Sequence, residues 1–123
     1  MMLANLSPQE AYRRVDFDAR VATARPDQLV SLCLEQLSIS LGSAIRAVEL
    51  NDNHRKSAGL TRALAALTAL QLGVDRAAPG AAALLQFYAA VRQAVLDSVP
   101  SFDPARLRQV RLDVEDVAEA LSK

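Results

Sequence analysis

The chain has no tryptophan, two tyrosines and three phenylalanines, so aromatic residues make up only 4% of it. Its core must therefore be aliphatic. Alanine and leucine supply most of the 51% apolar content, and both favour helix. Neither sign of charge is in surplus: Lys and Arg total 14, as do Asp and Glu, for a formal net charge of zero. A general nucleic-acid binder carries a basic excess, so that class is set aside. The single cysteine, Cys33, excludes an internal disulfide and suits a reducing cytosol, where a plain buried thiol is its expected role. No unbroken apolar run reaches the length of a membrane span. The opening MMLANLSPQEAYRR lacks the basic start and apolar block of a secretory signal, so a cytoplasmic protein without membrane insertion is expected. With 123 residues there is room for one domain with a proper core.

What is present is helical periodicity. From Thr23 to Glu49, the residues Val30, Leu34, Leu37, Leu41, Ala44 and Val48 repeat at steps of four and three and form one seam. Leu29, Cys33 and Ile45 widen it. Leu32 and Ile39 fall roughly opposite, among Gln28, Glu35 and Arg46. A helix packed on one side only does not need them. Either another part of the chain covers them or they belong to a partner-binding surface.

Before this helix, Ser7-Pro8-Gln9-Glu10 forms a capping box with proline at the first helical position. The pattern predicts a short helix from Pro8 to Ala19, carrying Tyr12, Val15 and Phe17, which is too short to stand alone and must dock. Pro26 then opens the long helix, with Thr23 as the nearest cap. Asn51-Asp52-Asn53 is a turn. The next helix, His54 to Leu72, has Leu60, Ala63, Leu64, Leu67, Leu70 and Val74 on one face. Gln71 falls near the end of that face and needs a hydrogen-bond partner if buried. The following helix, Ala81 to Val99, has the seam Leu84, Tyr88, Val91, Val95 and Val99, with Phe87 beside it. Leu85, Ala89 and Leu96 make a weaker stripe, interrupted by Arg92. Asp103-Pro104 opens the last helix, with Leu107, Val110, Val114, Val117 and Leu121 at heptad-like steps.

Four seam-bearing helices with short links predict an all-α fold. The expected architecture is an antiparallel up-down four-helix bundle with a short N-terminal helix packed on it. Residues 1–22 would form a capping segment and 23–123 the bundle, in one domain.

The catalytic inventory is thin. His54, the only histidine, sits among polar residues at a helix start. The inward carboxylates and Glu-x-x-His spacing of a metal bundle are missing, and so is a glycine-rich phosphate loop, so no metal and no cofactor is expected. Asp113, Glu115, Asp116 and Glu119 read as a solvated face. A small all-helical enzyme of the chorismate mutase kind would need inward arginines. Arg13, Arg14, Arg46 and Arg62 are the candidates, and helical phase turns Arg46 and Arg62 away from the seams. What remains is interaction: an amphipathic helix of another chain laid on the extra stripes.

Here the chain resembles the FliS family of flagellar export chaperones. The residues that carry the likeness are Tyr12, then Val21, Thr23, Ala24, Pro26 and Leu29, which match a tyrosine followed by V-x-T-A-S-P-x-x-L. Leu32-Cys33-Leu34-Glu35-Gln36 stands where the family often has M-L-Y-D-G. It keeps the apolar character and the acid but not the tyrosine or glycine. Leu72-Gly73-Val74-Asp75, Phe87-Tyr88 and Ser101-Phe102-Asp103 are similar to later family segments, while Arg76-Ala77-Ala78-Pro79-Gly80 replaces a glycine pair. This is a divergent pattern that spans nearly the whole chain. The resemblance implies a cytoplasmic chaperone that binds the C-terminal segment of flagellin, prevents premature polymerisation and assists delivery to the type III export apparatus, with export-gate components as further partners. It also implies that Tyr12 and its helix cap the empty site. Combined with helical phase, it makes Tyr12, Leu29, Leu32, Ile39, Leu85, Ala89 and Leu96 the expected flagellin-contacting residues. Two non-catalytic alternatives are a FlaF-like flagellar regulator and a bundle that self-associates through the extra stripes.

Overall fold

The computed structural model describes residues 8–23 and 25–122. They form, in chain order, α1 (Pro8–Thr23), α2 (Pro26–Glu49), α3 (Asn53–Leu72), α4 (Ala81–Asp97) and α5 (Pro104–Leu121), with no strand among the described residues. The all-α expectation holds.

Local chemistry sets most of the boundaries. Asp52 caps α3 by accepting the Arg55 backbone N–H at 3.0 Å, and Asn51 turns the chain at φ 55°. Asp103 caps α5 in the same way, accepting from the Arg106 N–H at 3.2 Å, with Pro104 following it. Gly80 precedes α4 at φ 81°, in the left-handed region that favours glycine. Two ends depart from expectation. α1 runs four residues past Ala19, so Thr23 lies inside α1 and does not cap α2. Instead Arg25 precedes α2, and the Gln28 side chain reaches back to accept the Arg25 N–H at 3.1 Å. Ser7, the cap of the expected Ser7–Glu10 capping box, lies outside the described residues.

α2 is the axis of the assembly. It packs most extensively on α3, next on α5, and carries α1 on its remaining side, while α4 sits between α3 and α5. α2 and α4 are therefore diagonal. The seams meet in one core: Leu34, Leu37 and Leu41 from α2, Leu60 and Leu67 from α3, Tyr88 and Val95 from α4, and Leu107 and Val114 from α5. Small residues let α2 and α3 approach closely. A Cβ at Gly59 would stand 3.0 Å from the Ser40 carbonyl oxygen.

Val99 is a correction. It continues the α4 seam in phase, yet α4 ends at Asp97 and Val99 is 58% exposed. Val99 precedes Pro100, and a residue before proline is pushed out of the helical region. By length and composition alone Gln28–Glu49 is apolar enough to cross a membrane, which a search for unbroken apolar runs misses. In the fold its Leu34, Leu37 and Leu41 belong to the bundle core.

Candidate partner-binding site

α1 carries few apolar residues, and among its described side chains only Ala11 and Phe17 are even half-buried. A lone helix of 16 residues is marginal in water, so its order depends on docking. It docks on α2 through Arg20, whose guanidinium forks onto Glu35 with Nη2–Oε2 at 3.0 Å and Nη1–Oε1 at 3.3 Å. Both partners are about half exposed, so the pair fixes direction more than it adds stability.

A groove of about 320 Å³ opens between α1, α2 and α3. Phe17 lines it from α1, Leu32, Cys33 and Ile39 from α2, and Ala65, Ala66 and Ala69 from α3. Leu32 is buried and Ile39 remains 39% exposed. Burial pushes the Cys33 thiol pKa up. The groove also collects charge of both signs: Arg13, Arg14, Arg20 and Arg62, with Asp16, Asp18 and Glu35.

The expected contact residues fall in separate places. Leu32 and Ile39 come together in this groove. Leu29 is half-buried on the same helix but does not line it. Tyr12 is 75% exposed and stands outside the groove, where Phe17 is the aromatic residue present. Leu85, Ala89 and Leu96 lie on α4, across the diagonal, with Leu85 half-buried and the other two exposed. The two stripes thus form two faces, not one groove.

Arg62 was expected to face solvent. It is half-buried on the groove wall, whereas Arg46 is exposed and elsewhere. His54 is exposed as expected, and no cluster of metal-ligating side chains occurs among the described residues. The sequence reading missed the contribution of α3. Its signal was the alanine row Ala65, Ala66 and Ala69, flanking the α3 seam one turn beyond Arg62.

On the other face, Gln71 has found its partner. Arg92 of α4 donates through Nε and Nη2 to the Gln71 side-chain oxygen at 3.0 and 2.7 Å, and through Nη2 to Thr68 Oγ1 at 2.8 Å. A wider groove of about 620 Å³ lies at the end of the bundle, lined by Val30, Val74, Leu84, Phe87, Val117 and Leu121 among others.

Compared with known proteins, residues 8–123 match a family model described as flagellar protein FliS. No curated protein matches the chain.

Proposed function

The chain belongs to the FliS family of flagellar proteins, and from that premise we propose that it is a cytoplasmic export chaperone for flagellin. It holds the C-terminal segment of flagellin, prevents premature polymerisation and assists delivery to the flagellar type III export apparatus. It works by stoichiometric binding, without catalysis or cofactor.

The observation that carries this reading is an apolar groove beneath a lightly held helix. Leu32, Ile39 and the α3 alanines line it, and the contacts of the cover over them include Phe17 and the half-exposed Arg20–Glu35 ion pair. A free flagellin tail is disordered, so binding must repay its ordering by burying its apolar side. Leu29, Leu32 and Ile39 would take one stretch of the tail, and Leu85, Ala89 and Leu96 a second, so that the tail passes around α3. α1, with Tyr12, is the cover that yields.

Calorimetric titration of the full chain with the C-terminal segment of flagellin from the same organism tests this. The expected result is saturable one-to-one binding with a negative heat-capacity change, weakened by Ile39→Asp and by Leu85→Asp. Absence of binding at tens of micromolar by folded protein would overturn the flagellin reading.

A further inference from the structure

The α4 positions 85, 89, 92 and 96 recur at steps of four, three and four, so Leu85, Ala89, Arg92 and Leu96 share one stripe. Leu85 is half-buried, and Leu96 is 43% exposed. The stripe borders α3, as the reach of Arg92 to Thr68 and Gln71 shows. Leu72, at the end of α3, is 82% exposed. This face is apolar, and its centre holds a cation.

Arg92 differs from the arginines that are held by acids, and shares with the half-buried Arg62 the lack of an ion pair among the described residues. Arg20, Arg55, Arg106, Arg108 and Arg111 each meet a carboxylate. Arg92 is half-buried, its hydrogen bonds go to the neutral oxygens of Gln71 and Thr68, and it makes no ion pair among the described residues. A partly desolvated charge without a counter-charge is the arrangement that a partner's carboxylate improves most. The two acceptors hold the guanidinium across the α3–α4 junction through Nε and Nη2, and Nη1 carries no hydrogen bond among the described residues. A planar donor fixed in advance loses little freedom when it takes up a carboxylate.

We infer that Arg92 is the charge-recognition point of the α3–α4 face: it receives one carboxylate of an amphipathic helical segment whose apolar side lies on Leu85, Ala89 and Leu96. The length fits a helix. Eleven residues of α4 separate Leu85 from Leu96, about 16 Å, or three turns of a helix lying alongside. An apolar segment lacking the acid would cover Arg92 and leave its charge more deeply desolvated, so the face selects for one acid among apolar neighbours. This inference rests on the proposed function, because the segment to which it assigns the acid is the flagellin C-terminal region.

The test is titration of the full chain with that segment at two salt concentrations, using wild type, Arg92→Gln and Arg92→Lys, each with its helical content and melting point checked. Alongside it, each carboxylate of the segment is neutralised in turn. Arg92→Gln is expected to weaken binding about tenfold or more and to flatten the salt dependence. Arg92→Lys is expected to retain part of the affinity. One acid of the segment is expected to matter for wild type and to be silent against Arg92→Gln. If Arg92→Gln binds as wild type does, or if no single acid matters to wild type, the inference is overturned while the flagellin reading stands. If wild type does not bind the segment at all, both fall.

Discussion

Gly59→Ala probes the packing that holds the bundle together. The added Cβ would stand 3.0 Å from the Ser40 carbonyl oxygen and 3.1 Å from both the amide nitrogen and the Cβ of Ala44. These atoms belong to the α2 backbone or are fixed directly to it, so no side chain can rotate out of the way. Relief requires α3 to move away from α2 by a few tenths of an ångström along the most extensive helix pair in the fold. Overpacking of this kind costs about 1–3 kcal/mol. Alanine in a helix interior returns roughly 0.5–1 kcal/mol over glycine. The balance is a loss of about 1 kcal/mol, which for a domain of this size lowers the melting temperature by about 4 °C. Gly42→Ala is the control. There the Cβ would meet the guanidinium of Arg111, the far end of a flexible side chain. Arg111 can swing aside at the cost of its contacts with Ser38 and Glu115, which are partly exposed and weak. Gly42→Ala should therefore be neutral or slightly stabilising. Thermal and urea unfolding followed by circular dichroism measure both. The reasoning fails if Gly59→Ala is as stable as wild type, or if Gly42→Ala loses as much as Gly59→Ala.

The Ser40 hydroxyl is fully buried with no hydrogen-bond partner among the described residues, so Ser40→Ala should raise stability by about 1 kcal/mol; a loss of that size in urea unfolding would refute the orphaned hydroxyl. Burial raises the Cys33 pKa, so thiolate is scarce at neutral pH and maleimide labelling should be slow. Phe17→Ala should speed that labelling several-fold by loosening α1, and an unchanged rate would show that α1 does not shield the thiol. The Asp97 pKa lies below its ordinary value because the Gln93 side chain and Arg106 both donate to the carboxylate. Its folded-state pKa is below the unfolded one, so its contribution to stability is present above the unfolded value and is lost as pH falls through the folded one. In an NMR titration Arg106→Ala should move the Asp97 midpoint upward, and an unmoved midpoint would remove Arg106 as a cause.

The bundle was legible because its seams are long and its links are chemically marked. Asp52 and Asp103 cap the helices that their neighbours announce, and the fully buried leucines of α2 are the ones in phase. The requirement that Gln71 find a partner was also readable, but the identity of that partner was not. Arg92 is 21 residues away and reaches Gln71 only once α3 and α4 are side by side. The candidate site was less readable for a related reason. Helical phase says which side of its own axis a residue occupies, and nothing about which neighbour lies there. Leu32 and Ile39 shared a phase with no assigned cover until α1 folded over them. Leu85, Ala89 and Leu96 form a stripe whose position relative to theirs periodicity leaves open, and the diagonal placement of α2 and α4 puts it on another face. Phe17 was named with Tyr12 and Val15 on the docking helix but not singled out, and the α3 alanines were not read as a wall, because small residues and a few apolar ones on a polar helix leave only a weak periodic signal.

The pairing of α2 with α5 has a consequence for the order in which the chain matures. α2 and α3 are joined by a tight turn and can meet as soon as both leave the ribosome. α5 emerges after them, and its side chains Leu107 and Val114, both fully buried, complete the core. Until then the nascent chain is an open three-helix arrangement with apolar surface facing outward. Closing it joins segments more than fifty residues apart, the slowest kind of contact to form. Truncation within α5 should leave an adhesive, aggregation-prone species and not a smaller working bundle.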